Sequence, residues 1–377
     1  MGKRIELSVI LPCRNEEKAL PECLKTIKQV LKENNINGEI IVSDSSWDSS
    51  PKIAKQHEVR LIKHDKEGYG NAYLEAIKEA KGEYLFMADA DGSYDFKEIP
   101  KFLQALKEGK DLVIGNRLEG NIEKEAMPWH HQYLGNPFLS SILRLFFKAK
   151  VKDAHSGMRA IRRKDFQKLN LRTTGMEFAS EMIIKATKLG LKIKEMPINY
   201  YKRKGHSKLK SFSDGWRHLR FMLLYAPKFL FFIPGIIFLI LGLLSFFLIY
   251  LGIISFLGIT FVYHPLFLSS ALIIVGYQLV IFSLFAESYA LNHLQEKRPL
   301  IEKVCRKITL ERAGILSIVS IILGSVIYLS ILMKWINAGF GELQEAKNSL
   351  LALTLIVLGI QTLSSAFMLS ILSIKEK

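Results

Sequence analysis

From Phe229 on, the chain consists mostly of long apolar runs separated by short polar ones, and runs of that length limit what the polypeptide can become. A helix needs about 20 apolar residues to cross the hydrocarbon core of a bilayer. Four stretches, about 229–254, 266–290, 313–333 and 348–373, are long enough. A large soluble core can also hold apolar helices, but four in succession with few or no charges argue for membrane spans. Residues 1 to about 227 instead mix charged and apolar residues in globular proportions. The 377 residues therefore read as a soluble domain over 1–210, a connecting helix over 211–228 and a transmembrane domain over 229–377.

Charge gives these spans an expected direction. The connector 291–312 carries Lys297, Arg298, Lys303, Arg306, Lys307 and Arg312, the turn from Thr260 to Pro265 has no Lys or Arg, and 334–347 has two. The positive-inside bias then puts that connector, the head and both termini in the cytoplasm of a multi-pass protein of the cell membrane. Glu287 falls near the cytoplasmic end of the second span, close to the interface. Before the first span, Phe212, Trp216, Leu219, Met222 or Leu223, and Ala226 recur at helical spacing with Lys208, Lys210, Arg217 and Arg220 nearby. That pattern predicts an amphipathic helix in the headgroup region. Phe138, Leu139, Ile142, Leu143 and Phe146 form a second such face, which either meets lipid or packs on the core.

The net charge of +16 raises the question of nucleic acid, but no zinc-finger spacing, RNP-like strand or helix-turn-helix accompanies it. Anionic lipids or an anionic substrate account for the charge as well. The three cysteines, Cys13, Cys23 and Cys305, are scattered and odd in number, so reduced thiols are expected. The start, MGKRIELSVILPCRNEE, breaks at Pro12 before any long apolar region and reads as a first strand.

Within the head, ELSVILP, EIIVSD, VRLIKH, EYLFMADAD and DLVIGNR alternate with the helical patterns EKALPECLKTIKQVLKEN, SPKIAKQH, NAYLEAIKEAKG and IPKFLQALKEG. That alternation predicts an α/β domain with a mostly parallel sheet and helices on both faces. Ligands of such sheets bind beyond the carboxyl ends of the strands. PCRNEE, SDSSWD, DADGSYD and GNR all follow strands, so one site at one edge is expected. There is no GxxxxGK[ST], and KEGYGNAYLEA has Gly68 and Gly70 without a third glycine or a strand directly ahead, so a turn into a helix is expected there, with close approach to a ligand as the alternative.

Asp89 and Asp91 stand two apart at the end of the fourth strand, where an extended backbone projects both to one side. Paired carboxylates repel unless a cation joins them, and oxygen ligands of this kind suit Mg2+ or Mn2+ bridged to substrate phosphates. An acidic turn capping the next helix is the competing explanation, and Asp95 fits it directly.

VILPCRNEE, IIVSDSSWDSS and LFMADADGSYDF, in this order and at these intervals, resemble family 2 glycosyltransferases, and the resemblance continues through GNRLEGNIEKEAMPWHHQYLGNPF, DAHSGMRAIRRKDF, MEFASEMIIKATKLGLKIKEMPINYYKRKGHSKL and DGWRHLR. It covers essentially the whole head and points to the membrane-attached branch with dolichyl-phosphate mannose and glucose synthases. The resemblance implies a glycosyltransferase A type domain that binds a nucleotide-sugar. Pro12, Arg14, Asn15 and Glu16 would begin the nucleotide site, and Asp44 would contact the base. Asp89, Ala90 and Asp91 would meet the diphosphate and metal, with Ser93 near the metal. Arg203 and Lys208, in a basic stretch that either closes over the diphosphate or binds headgroups, would complete the donor side.

The chain departs from that branch in two places. Its second strand ends Ser43-Asp44-Ser45 where two aspartates and a glycine are usual, which leaves the base open. His131-Gln132 stands where His-Arg is common, so Arg117 or a nearby basic residue must take over a phosphate contact. On the acceptor side the resemblance implies Arg117, Gln132 and Ser156, with Asp153 in the same DxxSG segment; for His155 and Glu181 a capping or surface role competes. The implied reaction transfers a sugar from GDP-mannose or a UDP-hexose to dolichyl or polyprenyl phosphate, metal-dependent and inverting, with Asp91, Arg117 and Asp153 at its centre. A phosphate acceptor is already ionised near neutral pH, so no strong general base is needed. Another lipid acceptor, or a non-catalytic carrier with a nucleotide-binding head, are the alternatives, and the QxxRW of processive synthases is missing. Expected partners are the donor, the lipid phosphate and the bilayer, with no nucleic acid; a homo-oligomer stays open.

Overall fold

The computed structural model describes residues 4–205, 211–253, 255–256, 259–260, 264–292 and 309–374. Contacts divide the chain into two units, the first ending at Met222 and the second beginning at Leu223.

In the first unit the strands are β1 (Leu7–Cys13), β2 (Gly38–Asp44), β3 (Arg60–Lys63), β4 (Tyr84–Met87), β5 (Leu112–Asn116), β6 (Arg159–Arg162) and β7 (Ile193–Pro197). The helices are α1 (Leu20–Glu33), α2 (Ser50–Gln56), α3 (Tyr69–Glu79), α4 (Ile99–Lys107), α5 (Asn136–Phe147), α6 (Arg163–Leu169), α7 (Phe178–Lys188) and α8 (Ser211–Leu224). β1 and β2 are near-continuous buried runs, as strands covered on both faces must be. Leu20, Cys23, Leu24, Ile27 and Leu31 of α1 are buried and share the main core with β1 and β4.

Among the described residues the sheet has seven strands in the order β3-β2-β1-β4-β6-β5-β7. The α/β, mostly parallel architecture is as expected, but the sequence pattern missed β6 and β7. β6 runs antiparallel to both β4 and β5 and separates them. It is too short, at four residues, and too charged at Arg159 and Arg162 to carry a strand signature. Its direction matters for function. Two antiparallel pairings return β5 to the direction of β4, so GNR does open on the same edge as PCRNEE, SDSS and DADG. The segment ahead of β6, Asp153 to Met158, reaches that edge from the other side.

β4 ends at Met87, two residues before Asp89, so the extended-backbone geometry expected for the aspartates does not hold. The chain bends instead from Ala90 through Gly92, whose φ is +82°. Asp95 caps as expected: its Oδ1 accepts from the Lys97 N–H at 2.9 Å, opening the turn into α4.

α5 resolves the alternatives left for its apolar face. Leu139 and Leu143 are buried, whereas Phe138 and Leu145, together with Trp129, Tyr133 and Leu134 of the preceding segment, are exposed. In α8, Trp216 is exposed and the inward residues include a histidine, His218, as well as Met222.

Among its described residues the second unit holds four helices long and apolar enough to cross a membrane: Lys228–Tyr250, His264–Asn292, Leu310–Asn337 and Ala346–Leu372. The third is longer than its apolar run because Glu311, Arg312 and Lys334 continue the helix at its ends. The first two approach closely enough that a Cβ at Gly276 would lie 2.5 Å from the Leu239 backbone nitrogen, the small-residue contact on which membrane helices rely. Ser270 with Thr354 (2.6 Å) and Tyr277 with Thr362 (2.7 Å) tie the second helix to the fourth. Most of the basic connector and the C-terminal Lys375-Glu376-Lys377 lie outside the described residues, as does Lys208.

Candidate active site

The carboxyl ends of β1, β2, β4 and β5 deliver the polar segments to one edge, and the hydrogen bonds there join them. After β1, Asn15 adopts φ +55°, its N–H donates to Ser46 Oγ (2.7 Å) and its Oδ1 accepts from the Trp47 N–H (3.1 Å). The Glu16 N–H donates to Ser50 Oγ at 3.1 Å. These bonds pin the PCRNEE loop to the loop after β2. Pro12, within β1, is in register with Ser43. Arg14 reaches the other way, pairing with Glu67 at 2.7 Å while its guanidinium stacks 5.1 Å from the centre of the exposed Trp47 ring.

At the end of β2 Asp44 is fully buried, and neither of its oxygens has a hydrogen-bond partner among the described residues. An unpaired buried carboxylate is costly, and such an orphan calls for a ligand. Ser43 Oγ lies 3.0 Å from His64 Nε2 beside it.

Asp91 is held from several directions. Its Oδ1 accepts from the N–H (3.0 Å) and the hydroxyl (2.5 Å) of Ser93, and Arg203 Nη1 lies 3.6 Å from its Oδ2. Arg203 also donates to Glu16 Oε1 at 3.1 Å, so one guanidinium joins the loop after β1 to the loop after β4. The segment carrying it is anchored by its backbone: the Tyr201 N–H donates to the Ser93 carbonyl and the Lys204 N–H to the Asp91 carbonyl, each at 2.9 Å. Ala90, between the aspartates, is buried.

Asp89 lies against Gly157, where an added Cβ would come within 2.7 Å of Oδ2. Only glycine leaves the carboxylate that space. Burial and then the charge of Asp91 push the Asp89 carboxyl up to about 7. Two carboxylates and the Ser93 hydroxyl fit a divalent cation that keeps several positions for phosphate and water oxygens, as Mg2+ and Mn2+ do. Among the described residues no cluster of three or more His, Cys, Asp or Glu forms a closed cage.

Arg117 and Asp153 form a buried two-pronged pair, with Nε to Oδ2 and Nη2 to Oδ1 both at 2.8 Å and the Arg117 N–H adding a third bond at 3.0 Å. The Tyr200 ring centre lies 5.2 Å from the guanidinium. Both oxygens of Asp153 are thus engaged by Arg117, and its charge raises the Arg117 pKa further although burial opposes this. Gln132 is half-buried in the π-turn His131–Gly135, its N–H donating to the Pro128 carbonyl.

Ser156 is fully buried with an unpartnered Oγ, and His155 Nδ1 and Asn116 Nδ2 are likewise buried without partners among the described residues. Glu181 is different. It accepts from the Arg172 and Thr173 N–H groups, the Thr173 hydroxyl and Lys185, which marks it as a structural carboxylate holding the turn before α7.

The sequence reading missed Ser180 and His218. Ser180 Oγ lies 3.3 Å from His155 Nε2 and 2.9 Å from His218 Nδ1, and the two imidazole centres are 4.4 Å apart. Burial depresses both imidazoles, His155 well below its ordinary range and His218 to about 4. Nothing in the helical periodicity of α8 distinguishes His218 from a solvent-facing polar residue.

Comparison with known proteins matches this architecture. The model of Glycosyl transferase family 2 covers residues 8–169, and that of the Glycosyltransferase family 2 C-terminal transmembrane region covers 286–373. The chain is 38% identical over 364 residues to a protein of Haloferax volcanii named Low-salt glycan biosynthesis hexosyltransferase Agl6, covering 96% of this chain and 88% of that one. It is 30% identical over 210 residues to a Dolichyl-phosphate hexose transferase of the same organism, 56% of this chain and 89% of that protein. A Dolichol-phosphate mannosyltransferase of Pyrococcus furiosus is 28% identical over 214 residues, 55% of this chain and 60% of that one. Similar to one relative along nearly its whole length, and carrying both the catalytic and the membrane signatures, the chain belongs to glycosyltransferase family 2 and is an integral membrane glycosyltransferase.

Proposed function

We propose that this enzyme transfers a hexose from a nucleotide-sugar, GDP-mannose or a UDP-hexose, to dolichyl or polyprenyl phosphate at the cytoplasmic face of the cell membrane. The reading is supported above all by the joining of Glu16, Asp91 and Arg203, one guanidinium shared by carboxylates from the loops after β1 and β4. The names of the two dolichyl-phosphate relatives favour the acceptor.

Pro12, Arg14, Asn15, Glu16 and Asp44 bind the nucleoside, Asp44 accepting hydrogen bonds from the base. Asp89, Ala90, Asp91 and Ser93 face the diphosphate. Asp89 and Asp91 would hold a divalent cation, Mg2+ or Mn2+, which when bound would supply positive charge to the departing diphosphate. Arg203, with Lys208 from the adjoining basic stretch, adds fixed positive charge to the same oxygens.

On the acceptor side, Arg117 meets the lipid phosphate, assisted by Gln132 and Ser156, and Asp153 positions the guanidinium. The phosphate is itself the nucleophile, so attack in a single displacement inverts the anomeric centre. The exposed aromatic face around Trp129, Tyr133 and Phe138, and Trp216 of α8, suit contact with the headgroup region.

The test is a panel of GDP- and UDP-sugars with polyprenyl phosphate and Mn2+ or Mg2+. One donor class should yield a glycolipid and removal of the cation should stop it. Nucleotide binding with no product from any donor would favour a carrier instead.

A further inference from the structure

Ser180 has one hydroxyl proton and lies between two imidazole nitrogens, and this restricts what each ring can do. A hydroxyl donates once and accepts from others. It therefore donates to one of His155 Nε2 and His218 Nδ1 and accepts an N–H from the other, because both rings, depressed by burial, are neutral and carry one proton each.

Two directions satisfy the chain. If Ser180 donates to His218, His155 bears its proton on Nε2 and turns a lone pair out at Nδ1. If His218 Nδ1–H donates to Ser180 and Ser180 donates to His155 Nε2, the remaining His155 proton is on Nδ1. That nitrogen is buried and has no partner among the described residues, and the same holds for the fully buried hydroxyl of the neighbouring Ser156. Gly157 follows against Asp89, the Arg159 guanidinium donates to the Ser156 carbonyl (2.9 Å) and the Ala154 carbonyl (2.7 Å), and its charge, followed by that of Arg117, reaches His155. Two adjacent side chains with spare donors beside a guanidinium form an anion-binding arrangement, and a lone pair at Nδ1 would oppose an anion there.

We propose that His155 is a further ligand of the acceptor phosphate, donating from Nδ1, and that Ser180 and His218 of α8 are positioning residues that fix its tautomer. This rests on the acceptor reading above and extends it by tying the helix next to the first membrane span to the reacting phosphate. The chain runs His218 Nδ1–H to Ser180 Oγ–H to His155 Nε2, and no proton is transferred in the reaction; the relay only sets which nitrogen bears hydrogen.

The experiment is steady-state kinetics of the full-length protein in detergent micelles with polyprenyl phosphate, each substrate varied in turn. His155→Leu should raise the acceptor KM roughly 10- to 100-fold, as for loss of a hydrogen bond to a charged group. Ser180→Ala and His218→Leu should raise it by roughly tenfold, with donor KM within about twofold of wild type. His218→Asn, whose side-chain amide can still donate to Ser180, should recover most of the loss, which a packing defect would not allow. An unchanged acceptor KM in folded Ser180→Ala, or equal changes in both KM values, overturns the relay while wild-type turnover leaves the parent reading intact. Wild type that turns over only with a lipid alcohol overturns both.

Discussion

At the residue scale, the carboxylate of Asp91 is held by the Ser93 hydroxyl and backbone on one side and by the Arg203 guanidinium on the other. Asp91 was legible as a ligand candidate because carboxylates this close need a cation. Its clamp is not local: Ser93 is two residues away, but Arg203 comes from beyond β7. Asp91→Ala should cut metal-dependent transfer by roughly 100-fold or more, the scale of losing one preorganised electrostatic group, while leaving the membrane unit folded. Activity that survives in a folded variant would remove Asp91 from the metal site. Asp153 illustrates what spacing could not reveal. The DxxSG resemblance suggests a group at the reaction centre, whereas both oxygens are committed to Arg117. Removing one partner of a buried ion pair strands the other, so Asp153→Ala should destabilise the protein by roughly 3–5 kcal/mol in denaturant unfolding. A loss below about 1 kcal/mol would contradict the burial of that pair.

At the element scale, helices and long buried strands announce themselves by period and apolar content, and α1, β1 and β2 were readable for that reason. β6 was not, because four residues with an arginine at each end have no period to read; its place is set by pairing with β4 and β5, both more than 40 residues earlier in the chain. α8 was legible as an amphipathic helix, but its contact with α7 is a hydrogen bond through Ser180, invisible to a hydrophobic pattern. That contact has a pH signature. His155 and His218 are depressed in the fold, so the unfolded chain binds protons that the native state refuses. Stability is fully present above the ordinary value of 6.5 and falls as pH drops from there toward about 4, where His218 itself titrates. Thermal unfolding followed across that range should lose midpoint on the acid side. His218→Asn should flatten part of the slope, and a variant with an unchanged slope would show that His218 is not buried neutral.

For the whole molecule, the proposed reaction requires the head to face the cytoplasm, where nucleotide-sugars are made, and the charge asymmetry of the connectors is what favours that orientation. The turn between the third and fourth spans would then lie outside. Chemistry already in the fold allows a clean test. Burial pushes the Cys13 and Cys23 thiols up to about 12. The thiolate is the reactive form, so neither cysteine should react with a maleimide near pH 7, and in a Cys305→Ser background the native chain should be silent. A cysteine placed at exposed Gly341 should then label in intact cells with a membrane-impermeant maleimide, and one at exposed Lys124 only after permeabilisation. The reverse pattern would place the head outside, remove the nucleotide-sugar supply and overturn the proposed direction of transfer. Labelling at both positions in intact cells would instead show that the four apolar helices do not divide the chain between two compartments.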